Sequence, residues 1–173
     1  VSREGQGRVT RLTALVAGAV SAWLVACDGG DAGEAAASQA MVGPLSGVLH
    51  TAGVLADRLV QRTAAQHVAL VLSSKAGGAA HVHAATAPIP MAAMVLFSSV
   101  AAAVGSVGQA NYASANACLD SLALWRHASG VGASSLQLPL VGGAGMGQAT
   151  MDAGHLAGVW SLGLEQYTTC LCE

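Results

Sequence analysis

Four polar residues in the middle of the chain have the types needed for a proton-donating site. Tyr112 and Asn116 are four residues apart, Ser99 lies thirteen residues before the tyrosine, and Lys75 is the only lysine in the chain. A phenol has an ordinary pKa of about 10, so it needs a nearby cation to act as a proton donor near neutral pH. At about 4 Å and an effective dielectric constant near 20, one unit charge contributes about 4 kcal/mol, which would lower the pKa of the phenol by about three units. Lys75 is the candidate for this cation.

The spacing of these residues predicts which elements position them. Four residues make about one helical turn, so Tyr112 and Asn116 would share one face of a helix that we predict over 110–128. The apolar run MVLF before the two serines predicts a buried strand over 93–98. Open α/β folds bind their ligands where such a strand end faces the start of a helix. We therefore expect the serine and the tyrosine to meet at this edge of a sheet.

Apolar strands alternate with helices along the rest of the chain, which is the pattern of a parallel α/β sheet. The helix that contains Tyr112 is expected to end at Gly130, because glycine readily adopts a left-handed cap conformation. A short helix is expected within 29–43. Further helices are predicted over 9–21 and 64–85, and strands over 23–27, 45–50, 93–98 and 134–140.

Three segments of the chain resemble one family: GVLHTAGVLAD (47–57), KAGGAAHVHAAT (75–86) and VLFSSVAAAVGSVGQANYASANACLDSLA (95–123). They resemble the ketoreductase domain of modular polyketide synthases, a branch of the short-chain dehydrogenase/reductase superfamily. Most of that superfamily has a lysine four residues after the tyrosine. This branch has an asparagine there and takes its lysine from an earlier helix. The resemblance extends over about 1–165, which we interpret as a partial reductase domain, with 166–173 as a C-terminal tail.

The resemblance implies a reaction and a role for each of the four polar residues. The reaction would be the NADPH-dependent reduction of a 3-ketoacyl thioester. An acyl carrier protein would carry this substrate, and the other domains of a polyketide synthase would be further partners. Tyr112 would donate a proton to the forming alkoxide, and Ser99 would hydrogen-bond the same oxygen. Lys75 would lower the pKa of the phenol. Asn116 would fix the geometry or hold a proton-relay water.

The resemblance also implies cofactor contacts outside the catalytic set. Arg3 would pair with the 2′-phosphate of NADPH. Asp28 would contact the adenine, although a turn in CDGGD explains this aspartate equally well. Thr51, Ala52 and Gly53 would let the end of a strand pack against the nicotinamide ribose.

The fold implied by the resemblance is a Rossmann-like, doubly wound parallel sheet. Because the first residues resemble the end of the family's second strand, we expect the first strand and the Gly-rich phosphate loop to be absent from this chain. The later run GGAGMG, which contains Gly145 and Met146, is interpreted as a loop that borders the nicotinamide and the substrate. Leu138, Pro139 and Val141 stand where the family usually has its tryptophan motif. A non-catalytic remnant or structural piece of a synthase therefore stays open as the alternative function.

Two residues outside the catalytic set are predicted to control the configuration of the product. The segment 55–57 resembles the family's Leu-x-Asp element and ends at Asp57, and Asn111 directly precedes Tyr112. Val104 stands where the other class has a tryptophan. These features resemble the B-type class, which gives a D-configured 3-hydroxyl. Alternatively, Asp57 is a helix N-terminal charge and Asn111 is a cap.

The composition argues against several other functions. A net charge of −2 and seven Lys and Arg residues without a basic run argue against binding of nucleic acid. The mean hydropathy is +0.55, and the uncharged stretch 12–27 looks like a lipoprotein signal peptide. It is shorter than the about 20 residues that span a bilayer, so we expect no membrane association. The cysteines lack the paired spacing of a zinc site, and His50 is expected to be a packed strand residue. We expect no metal, reduced thiols and a cytoplasmic location.

Overall fold

The computed structural model describes residues 8–12, 22–26, 33, 36, 45–142 and 161–172. Within these ranges the chain forms seven strands, five helices of 4 to 19 residues, and two short turns of other helical types. In chain order they are β1 (Arg8–Leu12), β2 (Ala22–Ala26), β3 (Gly47–His50), a 3₁₀ turn (Val60–Arg62), α1 (Ala65–Leu72), a π-helical turn (Ser73–Gly77), α2 (Gly78–Thr86), β4 (Ala93–Ser99), α3 (Ala101–Val104), α4 (Ala110–Ala128), β5 (Ser134–Leu138), β6 (Leu140–Val141), β7 (Ser161–Leu162) and α5 (Leu164–Cys172).

The main sheet of the described chain consists of β3, β4 and β5 in that order, and its strands are parallel. Parallel neighbours need long crossover connections. The helical stretch from α1 to α2 makes the first crossover, and α4 makes the second. The register places His50 opposite Leu96 and Ser99 opposite Leu138, so all three strands end at one edge of the sheet. This confirms the prediction of a Rossmann-like α/β fold built on a parallel sheet.

One apolar cluster fixes α2 and α4 to one face of this sheet. Alternate residues of β4 are buried, as the two-residue period of a strand requires. Burial of a large aliphatic side chain contributes about 2 kcal/mol, so this cluster holds α4 firmly in place. The buried members of the cluster are Ala79, Met94, Leu96, Leu119 and Ala123.

The N-terminal part differs from the prediction. A helix was expected over 9–21, but Arg8–Leu12 form the strand β1, which pairs antiparallel with β2. The β-branched residues Val9 and Thr10 favour an extended backbone, and pairing with β2 satisfies its hydrogen bonds. The strand predicted over 23–27 is confirmed as Ala22–Ala26, although its partner is β1 and not the parallel sheet.

The remaining elements follow the predictions closely. The bounds of α4 are those predicted, and Gly130 adopts a positive φ of 75° just beyond its end. The strand predicted over 134–140 is divided at Pro139 into β5 and β6, because proline has no N–H to donate to a neighbouring strand. Gly33 and Ala36 are helical, in line with a short helix in that region.

The C-terminal residues are part of the folded structure. Residues 166–172 of the segment predicted as a tail lie within the helix α5, and the Tyr167 ring meets the Phe97 ring of β4 edge to face at 6.5 Å between centroids. Aromatic pairs favour this geometry. No helix in the described ranges is both long and apolar enough to cross a bilayer.

Candidate active site

Lys75 lies in the π-helical turn and is almost fully buried. It is 2% exposed, its Nζ donates a hydrogen bond of 2.8 Å to the carbonyl oxygen of Phe97 on β4, and it lies 5.4 Å from the centroid of the Tyr112 ring. Burial disfavours the charged ammonium and lowers the pKa of Lys75 to about 8, while the carboxylate of Asp120 acts in the opposite direction. Lys75 is therefore still mostly protonated at pH 7.

Tyr112 is half-buried in the first turn of α4. Its backbone N–H donates to Oδ1 of Asn111 at 2.8 Å, which helps to fix the start of the helix. Burial raises the pKa of Tyr112 above its ordinary value of 10, and the charge of Asp57 adds to this. Side-chain hydrogen bonding by Asn116 and Ser99 acts in the opposite direction. The phenol is therefore protonated at neutral pH.

The direction of this pKa differs from the sequence-based expectation. We expected Lys75 to lower the pKa of Tyr112, but burial is the largest effect and raises it, and the groups that act to lower it are Asn116 and Ser99. The position of the ammonium explains the difference. It lies over the aromatic ring, 5.4 Å from its centroid, and donates its hydrogen bond to the carbonyl of Phe97.

Asn116 and the two serines connect α4 to the end of β4. Asn116 is fully buried, and its Nδ2 donates to the backbone oxygen of Tyr112 at 2.8 Å. Its Oδ1 is buried and accepts no hydrogen bond from the part of the chain that the structure describes. Ser98 Oγ donates to the backbone oxygen of Asn116 at 3.3 Å, whereas Ser99 Oγ accepts the N–H of Ala101 at 3.2 Å. Ser98 thus bonds to the backbone of α4, and Ser99 is the serine whose side-chain hydrogen bond acts to lower the pKa of the Tyr112 phenol.

Asp57 belongs to a segment that is tied to the residues just before Tyr112. Asp57 is exposed but accepts a hydrogen bond from Gln109, which is buried. The first turn of the 3₁₀ helix that follows contains no acidic residue, so the structure does not support the alternative role of Asp57 as a helix N-terminal charge. The segment around Asp57 is therefore held against the start of α4. The three hydrogen bonds are Gln109 Nε2 to Asp57 Oδ2 (2.8 Å), Asn111 Nδ2 to Ala56 O (3.0 Å) and Arg58 N to Gly108 O (2.7 Å).

The residues expected to contact the cofactor are only partly described. Thr51, Ala52 and Gly53 follow β3 directly, with Thr51 exposed and the other two half-buried. They lie at the same edge of the sheet as Ser99, since the strands are parallel. The other four predicted residues lie outside the described ranges: Arg3, Asp28, Gly145 and Met146.

Three residues of the site were not identified from the sequence: His50, Gln109 and Asp120. Asp120 lies one turn beyond Asn116 on α4, so the helical period could have placed it on this face. Its carboxylate accepts hydrogen bonds from Ser135 and Gln137 of β5, which ties α4 to the sheet. Sequence spacing contains no comparable signal for His50 and Gln109. Among the described residues, no three His, Cys, Asp or Glu side chains converge as metal ligands.

Comparisons with known proteins agree on one family. Residues 1–143 match the family model of the KR domain. The chain is 42% identical over 163 residues to mycoketide-CoA synthase of Mycobacterium tuberculosis, which covers 91% of the chain and 4% of that protein. It is 40% identical over 155 residues to the spectinabilin polyketide synthase system protein NorB of Streptomyces orinoci, covering 88% and 7%.

Solved structures give the same result. A structure of A-type ketoreductases from a modular polyketide synthase has a TM-score of 0.77 and 37% identity over 86% of the chain, and a structure of an A1-type ketoreductase has 0.78 and 36% over 85%. The chain spans 33% and 32% of those two chains, and under a tenth of the two synthases. By family match, sequence identity and fold, the chain belongs to the KR domains, the ketoreductase domains of polyketide synthases.

Proposed function

We propose that this chain supports the NADPH-dependent reduction of a 3-ketoacyl thioester, bound to an acyl carrier protein, to the 3-hydroxyacyl thioester. The observation that carries the proposal is the convergence of Tyr112, Ser99 and Lys75 where β4 ends and α4 begins. A phenol, a hydroxyl and a buried ammonium are the groups that reduction of a ketone requires, because the carbonyl oxygen gains a proton as it gains negative charge.

Tyr112 acts as the general acid. Because its pKa is raised, the phenol holds its proton at neutral pH until negative charge develops on the substrate oxygen. The hydroxyl of Ser99 hydrogen-bonds the same oxygen. The Lys75 ammonium, 5.4 Å from the ring centroid, would offset part of the cost that burial imposes on the phenolate left after proton transfer. Asn116 holds the backbone of Tyr112 through the hydrogen bond to its carbonyl.

The described residues fit a nicotinamide cofactor. Thr51 is exposed and two small residues follow it at the carboxyl edge of the sheet, which is the edge at which open α/β sheets bind dinucleotides. NADPH supplies the hydride when it is bound. Thr51, Ala52 and Gly53 would hold its ribose end. Arg3 would bind the 2′-phosphate, and Asp28 would contact the adenine.

The proposal extends to partners and location. The substrate would be delivered by an acyl carrier protein, alongside the other domains of a polyketide synthase in the cytoplasm. Gly145 and Met146 would border the substrate.

The product is proposed to be the D-configured alcohol of the B-type class. The support is the attachment of Asp57 to Gln109 and of Ala56 to Asn111, which places the Leu-x-Asp segment next to the proton donor. Val104, which stands at the position of the tryptophan in the other class, is 70% exposed. The two similar ketoreductase structures are described as A-type and A1-type, so the opposite configuration is the competing outcome.

The test is a substitution of the proton donor. Since the chain spans about a third of the solved ketoreductase chains, the activity is measured both in the chain and in a chimera that joins residues 1–173 to the N-terminal part of a related KR domain. Tyr112→Phe should reduce the rate of NADPH-dependent reduction by about 10² to 10⁴ while leaving the fold intact. Tyr167→Phe is the matched control, because this tyrosine packs on Phe97 through its ring, and it should keep the rate. Retention of more than about a tenth of the rate in Tyr112→Phe would refute the assigned role.

A further inference from the structure

His50 contacts the backbone of the turn that carries Lys75. It is the last residue of β3, is 7% exposed, and its ring Nε2 lies 3.1 Å from the carbonyl oxygen of Lys75. The two residues are 25 positions apart in the sequence. The contact therefore joins the end of a strand to the middle of the helical crossover that follows it.

The chemistry of this contact fixes the state of the imidazole. A carbonyl oxygen can only accept, so Nε2 of His50 must carry a hydrogen and donate it. Burial lowers the pKa of His50, and the nearby charge of Lys75 acts in the same direction, while the hydrogen bond to the carbonyl opposes them. At neutral pH the ring is therefore neutral, with its hydrogen on Nε2.

The turn that receives this hydrogen bond is π-helical, although the helices on both sides are α-helical. The N–H of Gly78 is directed at the carbonyls of both Ser73 and Lys75. A π turn widens the helix by one residue and changes the direction in which its side chains leave the axis. Such turns are rare and occur mostly as single turns inside α-helices, frequently at functional sites. The His50 ring contacts this π turn at the carbonyl of Lys75.

Lys75 is therefore held at two points by two neighbouring strands. Its carbonyl is held by His50 at the end of β3, and its ammonium donates to the Phe97 carbonyl on β4. We propose that His50 is a positioning residue for Lys75, because it fixes the π turn from which the ammonium reaches the face of the Tyr112 ring. An effect of His50 on catalysis rests on the proposed function, whereas its effect on the position of Lys75 does not depend on that function.

The experiment uses the fact that the chain has a single lysine. Incorporation of lysine labelled with ¹³C at Cε gives one side-chain resonance, and its titration reports the pKa of Lys75 without substrate or NADPH. The variants are His50→Leu, which removes the donor, and His50→Gln, whose amide can donate at a similar reach. His127→Leu is the matched control, since His127 is exposed on α4. Circular dichroism shows whether each variant is folded.

The proposal makes a defined prediction for each protein. In the unsubstituted chain and in the control, Lys75 should titrate near 8. In His50→Leu the ammonium should leave its buried position, so the pKa of Lys75 should rise toward 10.5 by about one unit or more. His50→Gln should restore a value near 8.

Three results would overturn the proposal. The first is a folded His50→Leu chain with an unchanged pKa of Lys75. The second is a His50→Gln chain in which the pKa of Lys75 rises as far as in His50→Leu. The third is loss of folding in both variants, which would show that His50 supports the core in general. If only His50→Leu fails to fold, the pKa of Lys75 in His50→Gln decides. A value near 8 supports the proposal, and a rise toward 10.5 overturns it. If the pKa of Lys75 changes as predicted but the chain is inactive, the proposed function is rejected and the inference about His50 stands.

Discussion

Replacement of Lys75 by methionine should stabilise the folded chain, and the gain should depend on pH. Lys75 is buried, and its pKa falls to about 8 on folding. Between pH 8 and 10.5 the unfolded chain binds more protons at this site than the folded chain does. Stability therefore rises with pH through this window. The free-energy cost of burying the charged ammonium is fully present below about pH 8 and disappears above about pH 10.5.

The size of the effect follows from the two pKa values. A fall from the ordinary lysine value of 10.5 to about 8, at about 1.4 kcal/mol per pH unit, makes the ionised side chain cost about 3 kcal/mol. Methionine has no charge, so its own contribution does not change with pH. Loss of the hydrogen bond to the Phe97 carbonyl costs about 1 kcal/mol. The loss of this hydrogen bond changes the difference in free energy of unfolding between the two proteins by the same amount at every pH. The pH-dependent part of that difference therefore remains about 3 kcal/mol.

The assay is urea unfolding of the unsubstituted chain and of Lys75→Met at about pH 7, 9 and 11, a range that spans both pKa values. The difference in free energy of unfolding should be about 3 kcal/mol more favourable to methionine at the lowest pH than at the highest. Arg62→Met is the control, because it replaces an exposed cation by the same neutral side chain. A difference that is constant with pH, or that grows as the pH rises, would refute the reasoning.

Three further predictions concern the supports of the site and its product. Gly132→Ala should destabilise the fold by about 1–3 kcal/mol in urea unfolding, because a Cβ there would lie 2.8 Å from the Ala92 carbonyl oxygen. Gly77→Ala, with no atom nearer than 3.7 Å, should stabilise it by about 0.5–1 kcal/mol. Chiral chromatography of the chimera's product should show mainly the D-configured alcohol, and Gln109→Leu should reduce that excess by releasing Asp57. A mainly L-configured product would reject the B-type assignment.

The sequence predicted the elements whose pattern is local and strong. The bounds of α4 agree because apolar residues recur at helical spacing in its middle, at Ala115, Leu119 and Ala123, and a glycine follows its end, and β4 agrees because its apolar run is short and uninterrupted. The position of Ser99 near Tyr112 follows from the same two elements. Once the end of β4 and the start of α4 are placed at the same edge of the sheet, the hydroxyls of Ser99 and Tyr112 are expected to lie near each other.

Other features depend on contacts that spacing does not reveal. The π turn and the His50 contact join residues 25 positions apart, so no local pattern indicates them. The pKa of Tyr112 depends on the balance between its burial and the hydrogen bonds of Asn116 and Ser99, and neither can be derived from local sequence patterns. The strand β1 forms because the partner strand β2 is available, and the sequence pattern of 9–21 does not indicate that partner.

The most direct test of the proposed reaction is transfer of deuterium from NADPH labelled at C4 of the nicotinamide to a 3-ketoacyl thioester, followed by mass spectrometry. The chimera that contains residues 1–173 should place one deuterium at C3 of the product, and its Tyr112→Phe variant should lose nearly all of this transfer. The related KR domain that donates the N-terminal part provides the positive control. A folded chimera that transfers no deuterium under conditions in which this control does would contradict the proposal and favour a non-catalytic role for the chain.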